Sequence, residues 1–190
     1  MDFTINFGQR PIENGDLLLS EPYMKDRNFE RAVILICEHD EQKGSFGLIL
    51  NKPSMVTIEE VESRLAIDSP IYVGGPVEQD TLHYIHKFKE ITNAIPLKDG
   101  IYWGGDYEEI QELNTKGILN ESNCRFFMGY AGWENQQLRG ELKEDSWVVS
   151  NARLNHILDE PVDDIWKNTL TEMGGKYKVF ANAAKNIRMN

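Results

Sequence analysis

Short apolar runs, separated by polar segments rich in turn-forming residues, dominate the hydrophobic pattern of this chain. Because β-branched and aromatic residues favour a pleated surface, these runs predict buried strands. They fall at residues 15–20, 32–37, 46–50, 71–74, 82–85, 101–105, 124–130, 146–150 and 177–180. The polar, glycine-containing segment 41–45 joins the second run to the third, which predicts a β-hairpin.

Four segments carry the signals of short helices instead. Thr57 and Glu60 have capping-box spacing, so a helix is predicted from Ile58 to about Leu65. The other three segments are residues 106–113, 136–142 and 161–173. Since strands dominate and the helices are interspersed irregularly, we predict an α+β fold.

The overall composition is that of an ordinary globular protein. The 190 residues suit a single domain spanning 1–190, with its core at about residues 15–180. Lys plus Arg total 20 against 31 Asp plus Glu, so the net charge of −11 disfavours direct binding to nucleic acid or to anionic membranes. No apolar run reaches the roughly 20 residues needed to span a bilayer, and residues 1–6 lack signal-peptide features, which predicts a cytoplasmic protein.

Three apolar, aromatic runs stop abruptly on glycine, and we refer to them as the glycine corners. They read Ile-Tyr-Val-Gly-Gly-Pro at residues 71–76, Ile-Tyr-Trp-Gly-Gly-Asp at 101–106 and Phe-Phe-Met-Gly-Tyr-Ala-Gly-Trp at 126–133. Because glycine permits positive φ and close backbone approach, each corner should be a strand that ends in a tight turn. Turns of this kind are places where a pocket can form.

The third glycine corner has the richest surroundings. Tyr130 and Trp133 stand beside two glycines, and Asn135, Gln136 and Gln137 follow with amide donors and acceptors. Aromatic walls, exposed backbone and a few polar groups are typical of a small-molecule site, although the same residues can also build a tightly packed corner. The candidate ligand-binding or partner-binding residues of the three corners are Gly74, Gly75, Pro76, Gly104, Gly105, Gly129, Tyr130, Gly132, Trp133 and Gln137.

Catalytic and metal-binding signals in the sequence are weak. On a strand, Cys37 and His39 would share a face, which allows an activated thiol, but a buried cysteine beside a solvated histidine fits the same pattern. His83 and His86 are three positions apart, so a strand sends their rings to opposite faces. Metal-ligand spacings such as CxxC and HExxH are missing, as are a Walker loop and a nucleophile elbow. We therefore predict neither a metal site nor a cofactor.

Five sequence blocks, taken together and in order, resemble the AlgH/YqgE family of small bacterial proteins. They are Gly-Asp-Leu-Leu-Leu-Ser at 15–20, Arg-Ala-Val-Ile-Leu at 31–35, Gly-Leu-Ile-Leu-Asn-Lys-Pro at 47–53, Gly-Gly-Pro-Val at 74–77 and Gly-Tyr-Ala-Gly-Trp at 129–133. The resemblance covers residues 15–149. It implies an α+β fold with a split sheet that includes a small closed barrel, flanked by short helices.

The resemblance leaves the function open. The family carries the label of transcriptional regulator, which comes from a genetic association, and no reaction is established for it. Relatives usually continue after Gly-Trp through another glycine to Gln-Leu-Glu, whereas this chain has Arg139 where the acid is expected.

The leading hypothesis is a non-catalytic regulatory or binding module for a small ligand or a protein partner. One alternative is a hydrolytic or thiol-based enzyme that uses Cys37 or His39. The other is a DNA-binding regulator, which the net charge of −11 disfavours.

Overall fold

The computed structural model describes residues 10–151 and 158–183, which form a strand-rich α+β fold, as predicted. The strands are β1 Leu17–Ser20, β2 Val33–Asp40, β3 Gly44–Ile49, β4 Pro53–Thr57, β5 Pro70–Val73, β6 Val77–His86, β7 Ile95–Pro96, β8 Tyr102–Trp103, β9 Cys124–Trp133 and β10 Trp147–Ser150. The helices are α1 Ile58–Val61, α2 Tyr107–Thr115, α3 Gln137–Lys143, α4 Ile165–Met173 and α5 Gly175–Ala181.

The sheet is open. Its strands hydrogen-bond in the order β10-β1-β2-β3-β9-β6-β8-β7, and β5 joins both β4 and β9. β2 and β3 form the predicted hairpin, and β5 runs parallel to β9 while the other described pairs are antiparallel. The small closed barrel implied by the resemblance is not observed among the described strands, because the order does not return to its start. A barrel needs its terminal strands to pair, and β7 has only two residues, one of them a proline without an N–H.

One long strand, β9, belongs to two half-sheets. Its last three residues pair with β3, whereas its earlier part lies between β5 and β6. Where β3 and β9 separate, the end of β5 enters the gap. The Gly74 N–H donates to the Met128 carbonyl at 2.9 Å, and the Gly74 carbonyl accepts from the Ile49 N–H at 2.8 Å. The sheet therefore splits at the first glycine corner.

Glycine is required at this split because backbone lies directly against backbone. A Cβ atom on Gly74 would overlap the carbonyl oxygen of Gly129, and one on Gly75 would overlap the carbonyl of Tyr130. Gly129 also has a φ of 70°, and a Cβ there would lie 2.9 Å from the Val77 carbonyl oxygen. The first and third glycine corners thus meet in one backbone contact, which we call the glycine crossing.

Three hydrophobic clusters fill the fold. The central cluster lies between the two half-sheets and includes residues of α4 and α5. A second cluster packs α1 and α2 against the opposite face of β5, β6 and β9. The third packs α3 against the opposite face of β1, β2 and β3. Alternation along each strand divides the side chains between these clusters, so that Phe126 faces α2 and Phe127 faces the central cluster.

The strand predicted at residues 177–180 is wrong, because these residues form α5. Tyr177, Phe180 and Ala181 recur at helical spacing, and all three contact the central cluster. Val179 points away and is 71% exposed. The helix therefore forms instead of the predicted strand because it brings these three residues into contact with the core. The other predicted strands and helices are present with shifted ends.

A buried carboxylate ties the start of β1 to the loop before β8. Asp16 is fully buried, and it accepts two hydrogen bonds from Arg10 at 2.7 Å and one from Lys98 Nζ at 2.5 Å. The backbone N–H of Glu13 donates another at 2.8 Å. Burial alone would raise the pKa of Asp16, but these donors outweigh burial and hold the pKa below its usual value.

Replacing Gly75 by Ala should destabilise the protein by about 3 kcal/mol or more, because the new methyl group collides with the Tyr130 backbone and cannot be relieved by a side-chain rotation. Gly140→Ala is the matched control. A Cβ at Gly140, within α3, has no atom within 4 Å, so alanine should stabilise that helix by about 0.5–1 kcal/mol. Urea unfolding of both variants measures the two effects, and similar stabilities for Gly75→Ala and the parent would contradict the crossing.

Asp16→Asn should lower the free energy of unfolding by about 2–3 kcal/mol at neutral pH, since it deprives Arg10 and Lys98 of their shared carboxylate. The folded pKa of Asp16 lies below the unfolded value, so the ionised form contributes stability above about pH 4 and loses that contribution as the pH falls toward the folded pKa. Urea unfolding near pH 7 and pH 3 should show a smaller difference between variant and parent at the lower pH. An unchanged difference would exclude this role for Asp16.

Candidate functional site

The two ends of the central cluster are covered differently. Where β1 ends and β2 begins, helix α4 covers the cluster, and Trp166 Nε1 donates to the Ser20 carbonyl at 3.0 Å. At the opposite end, where β2 ends and β3 begins, the side chains of Phe46, Trp103 and Tyr130 pack against the cluster but stay partly exposed. This second end presents aromatic rings to solvent.

Phe46, His83, Trp103 and Tyr130 form a group that we call the aromatic cluster. Phe46 lies in the middle, with its ring centroid 4.9 Å from that of Trp103 and 4.6 Å from that of Tyr130, and with interplanar angles of 30° and 28°. His83 meets Phe46 and Tyr130 edge-on, at centroid distances of 5.1 and 5.8 Å. Ring pairs at these separations attract one another, so the four side chains hold each other in place.

A glycine allows the sheet to bring these rings together. Phe46 lies opposite Gly132 across β3 and β9, and Gly132 has no side chain to separate Phe46 from Tyr130, which lies two residues earlier on β9. A Cβ on Gly132 would lie 3.1 Å from Cε2 of Tyr130. Trp103 reaches Phe46 from β8, where it pairs with Ile85. The second and third glycine corners are therefore joined through Phe46, a residue that neither corner contains.

His83 is the polar member of the aromatic cluster. Its Nε2 atom is enclosed and has no hydrogen-bond partner among the described residues. Burial lowers the pKa of His83 and the charge of Glu78 raises it, with burial the larger effect, so the ring is neutral at pH 7. Enclosed polar atoms without a partner are few in folded proteins, and His83 Nε2 is one of five in the described residues.

The glycines of the second corner contact side chains of β6 through their carbonyls and do not contribute to the aromatic cluster. The Gly104 carbonyl lies 2.8 Å from Nε2 of the buried His86, and the Gly105 carbonyl accepts a hydrogen bond from the Tyr84 hydroxyl at 2.6 Å. His86 therefore has a structural role, and Trp103 is the residue of this corner that reaches the aromatic cluster.

The amide-rich segment after the third corner is used to build α3. Trp133 is buried, and its Nε1 donates to Glu141 Oε2 at 2.9 Å, while Trp147 Nε1 donates to the same oxygen at 2.7 Å. Gln137 donates to the other Glu141 oxygen at 3.0 Å. Trp133 and Gln137 are therefore bound to one carboxylate, whereas Tyr130 joins the aromatic cluster.

The acid that matters to this corner is Glu141, which the sequence pattern does not single out. Only the fold shows that two tryptophans from different strands converge on it. Arg139, where the resemblance expects an acid, is exposed. Gln136 stands where relatives carry a glycine before Gln-Leu, and its φ of 65° is a conformation that favours glycine.

Cys37 and His39 have different surroundings. Cys37 is fully buried in the central cluster, its thiol donates to the Leu35 carbonyl at 3.7 Å, and burial raises its pKa well above the ordinary value. The His39 ring turns to Ser45 across the hairpin, with Nδ1 2.7 Å from Oγ. Because a reactive thiol needs solvent access and a nearby cation or base, we assign no reaction to this pair.

A shallow groove of about 650 Å³ lies at the helix-covered end of the fold. Pro22 and Tyr23 form one side, and Val179 and Phe180 of α5 contribute to the other. Its lining is mostly apolar, and its polar side chains Lys178 and Asn182 are exposed, with Asn182 donating to the Lys178 carbonyl. A ligand site usually has polar groups that converge on an enclosed space. We therefore place the candidate site at the aromatic cluster.

Residues 10–151 and 158–183 contain neither a metal-binding cluster nor a membrane-spanning helix. Histidine, cysteine and carboxylate side chains in these ranges form no group of three or more that could hold a metal ion. The helices in these ranges are all too short or too polar to cross a bilayer.

Comparison with known proteins places the chain in a family. A family profile described as AlgH-like matches residues 17–178. The chain belongs to the AlgH-like family. The UPF0301 protein of Cytophaga hutchinsonii is 39% identical over 182 residues, which cover 94% of this chain and 100% of the relative. The corresponding protein of Bacteroides thetaiotaomicron is 38% identical over 169 residues, or 88% of this chain and 86% of the relative.

Two solved structures share this fold. Protein DIP2367 of Corynebacterium diphtheriae superposes with a TM-score of 0.75 at 26% identity, covering 92% of this chain and 95% of its own. The solution structure of AlgH from Pseudomonas aeruginosa gives a TM-score of 0.70 at 25% identity, covering 93% of this chain and 98% of its own. The predicted family and α+β fold are confirmed.

Both cysteines should resist alkylation while the AlgH-like protein is folded. Cys37 and Cys124 are buried, and burial raises the pKa of each thiol. At about pH 8, iodoacetamide should therefore label them at least about a hundredfold more slowly than in urea, as followed by mass spectrometry over time. Labelling of native Cys37 at the rate of a free thiol would revive the thiol-enzyme hypothesis.

Proposed function

We propose that this protein is a non-catalytic binding module that holds a small planar ligand against the aromatic cluster. The observation that carries the proposal is the stack of Trp103, Phe46 and Tyr130, which stays partly exposed at the end of the central cluster opposite α4. Apolar and aromatic walls with a few polar groups are the usual lining of a small-molecule site. A further planar group would extend this stack.

The energy available from stacking suits a reversible ligand. Covering about 100 Å² of apolar ring surface contributes about 2.5 kcal/mol, and an aromatic pair adds about 0.5–1.5 kcal/mol. These terms add to about 3–4 kcal/mol, which corresponds to a dissociation constant of about 1–6 mM for a single small ring, and a ligand with more contacts binds more tightly. Simple ring compounds at millimolar concentration are therefore suitable probes.

The proposal includes no reaction, metal or cofactor. Cys37 is buried and His39 faces Ser45, so neither supplies a nucleophile or base to the aromatic cluster. Direct DNA binding is left out as well, since a net charge of −11 repels the phosphate backbone. We propose that this binding module lies in the cytoplasm, where a protein partner would recognise its ligand-bound form.

The four tryptophans provide a direct test of the site. Trp133, Trp147 and Trp166 are buried, whereas Trp103 is partly exposed in the aromatic cluster. Titration with 3-methylindole, a neutral planar probe, should therefore shift the indole N–H signal of Trp103 in nitrogen–proton correlation spectra. The signals of the three buried tryptophans should move little.

Two tyrosine variants separate binding at the aromatic cluster from nonspecific association. Tyr130→Leu should weaken 3-methylindole binding at least about fivefold, because it removes one ring of the stack. Tyr23→Leu is the matched control, since Tyr23 is 57% exposed and lies outside the cluster. Circular dichroism checks that both variants are folded. Equal loss in the two variants, or an unmoved Trp103 signal in the parent, would overturn the proposed function.

A further inference from the structure

An acidic bulge lies beside the aromatic cluster. Val77 of β6 pairs with Tyr130 of β9, and the next pair is Leu82 with Met128. Four residues of β6, 78–81, therefore lie opposite the single residue Gly129 of β9. The residue before this bulge pairs with Tyr130, which places the bulge next to the aromatic cluster. Glu78 and Asp80 lie in the bulge, and both are exposed.

Carboxylates flank the aromatic cluster on two sides. Glu78 has a φ of 44°, an unfavourable conformation for a residue with a side chain, and its charge acts on the neighbouring His83. On the other side, Glu38 is exposed and lies opposite Phe46 in the register of β2 and β3. Directly opposite residues share a face of the sheet, so Glu38 stands next to the central ring of the stack.

Two basic side chains near this end of β1 do not compensate these charges. Arg10 and Lys98 both bind the buried Asp16, at 2.7 and 2.5 Å, and Lys98 also binds Glu13 at 3.0 Å, so two carboxylates balance the two cations. The whole chain adds a negative field through its net charge of −11. A planar ligand with a carboxylate or phosphate would therefore be repelled, and one with a positive charge would be attracted.

We infer that the aromatic cluster selects planar ligands that carry a positive charge, such as ring compounds with a protonated alkylamine side chain. The inference rests on the proposed function and adds the charge of the ligand to it. An ammonium group beside the rings is attracted both by the aromatic faces and by the flanking carboxylates of Glu38 and Glu78. An anion of the same shape has the ring contacts but meets repulsion.

Three indoles with different charges test this selection. Tryptamine is cationic, indole-3-acetate is anionic and 3-methylindole is neutral, while the ring is the same in all three. Isothermal titration at about 20 mM salt should show tryptamine binding at least about tenfold more tightly than indole-3-acetate. At about 500 mM salt the ratio should shrink, because exposed charges are then screened.

Charge variants locate the source of the preference. Glu78→Gln combined with Asp80→Asn should reduce the tryptamine preference to about threefold or less. Glu144→Gln combined with Glu172→Gln removes the same charge from exposed positions on or beside α3 and α4, and it should keep most of the preference.

The outcomes distinguish this inference from the proposed function. Equal binding of tryptamine and indole-3-acetate overturns charge selection, while the proposed function stands if 3-methylindole still shifts Trp103. The assignment to the bulge is overturned if the variant with Glu78→Gln and Asp80→Asn keeps the full preference for tryptamine. It is also overturned if the control variant loses that preference to the same extent. If none of the three indoles binds at millimolar concentration, both proposals fail.

Discussion

The close backbone contact at the glycine crossing is the constraint on which this structure depends. Gly74 hydrogen-bonds to both β3 and β9, so the two strands can separate there only if no side chain holds the backbones apart. The separation lets β9 serve two half-sheets, and these enclose the central cluster between them. Gly129 also ends the regular pairing of β9 with β6 just before Tyr130, which directs that ring toward Phe46. The fold and the candidate site therefore share one origin.

The aromatic cluster lies where strands end, so its exposure depends on what covers that end of the central cluster. The sheet itself is open because its described terminal strands do not pair, and the last of them, β7, has only two residues. Helices α4 and α5 cover one end of the central cluster, and no helix of the described residues covers the end at Phe46. The rings at that end stabilise one another by stacking, which keeps them ordered while one side of the stack stays accessible.

The sequence predicts features that depend on neighbours within a few residues. The capping box at Thr57, the helix predicted at residues 106–113 and most strands are confirmed, because each follows from local spacing. Features set by tertiary contact are not predictable in this way. The helix at residues 175–181 forms because its apolar residues reach the core, and the aromatic cluster forms because strand register brings Phe46 to two glycine corners. The role of Glu141 is not predictable from local sequence for the same reason, since its two tryptophan partners come from two different strands.

The motifs that identify the family therefore report the fold and not the ligand. Gly74, Gly75 and Gly129 are demanded by backbone contact, whatever the protein binds. The side chains that would contact a ligand are distant in sequence, and each fits an ordinary strand pattern on its own. Phe46 is one of several apolar residues on β3. Glu78 belongs to a bulge that no local sequence motif predicts. Ligand specificity in this fold should be sought at positions that strand register brings together, because local sequence marks only the turns that make the register possible.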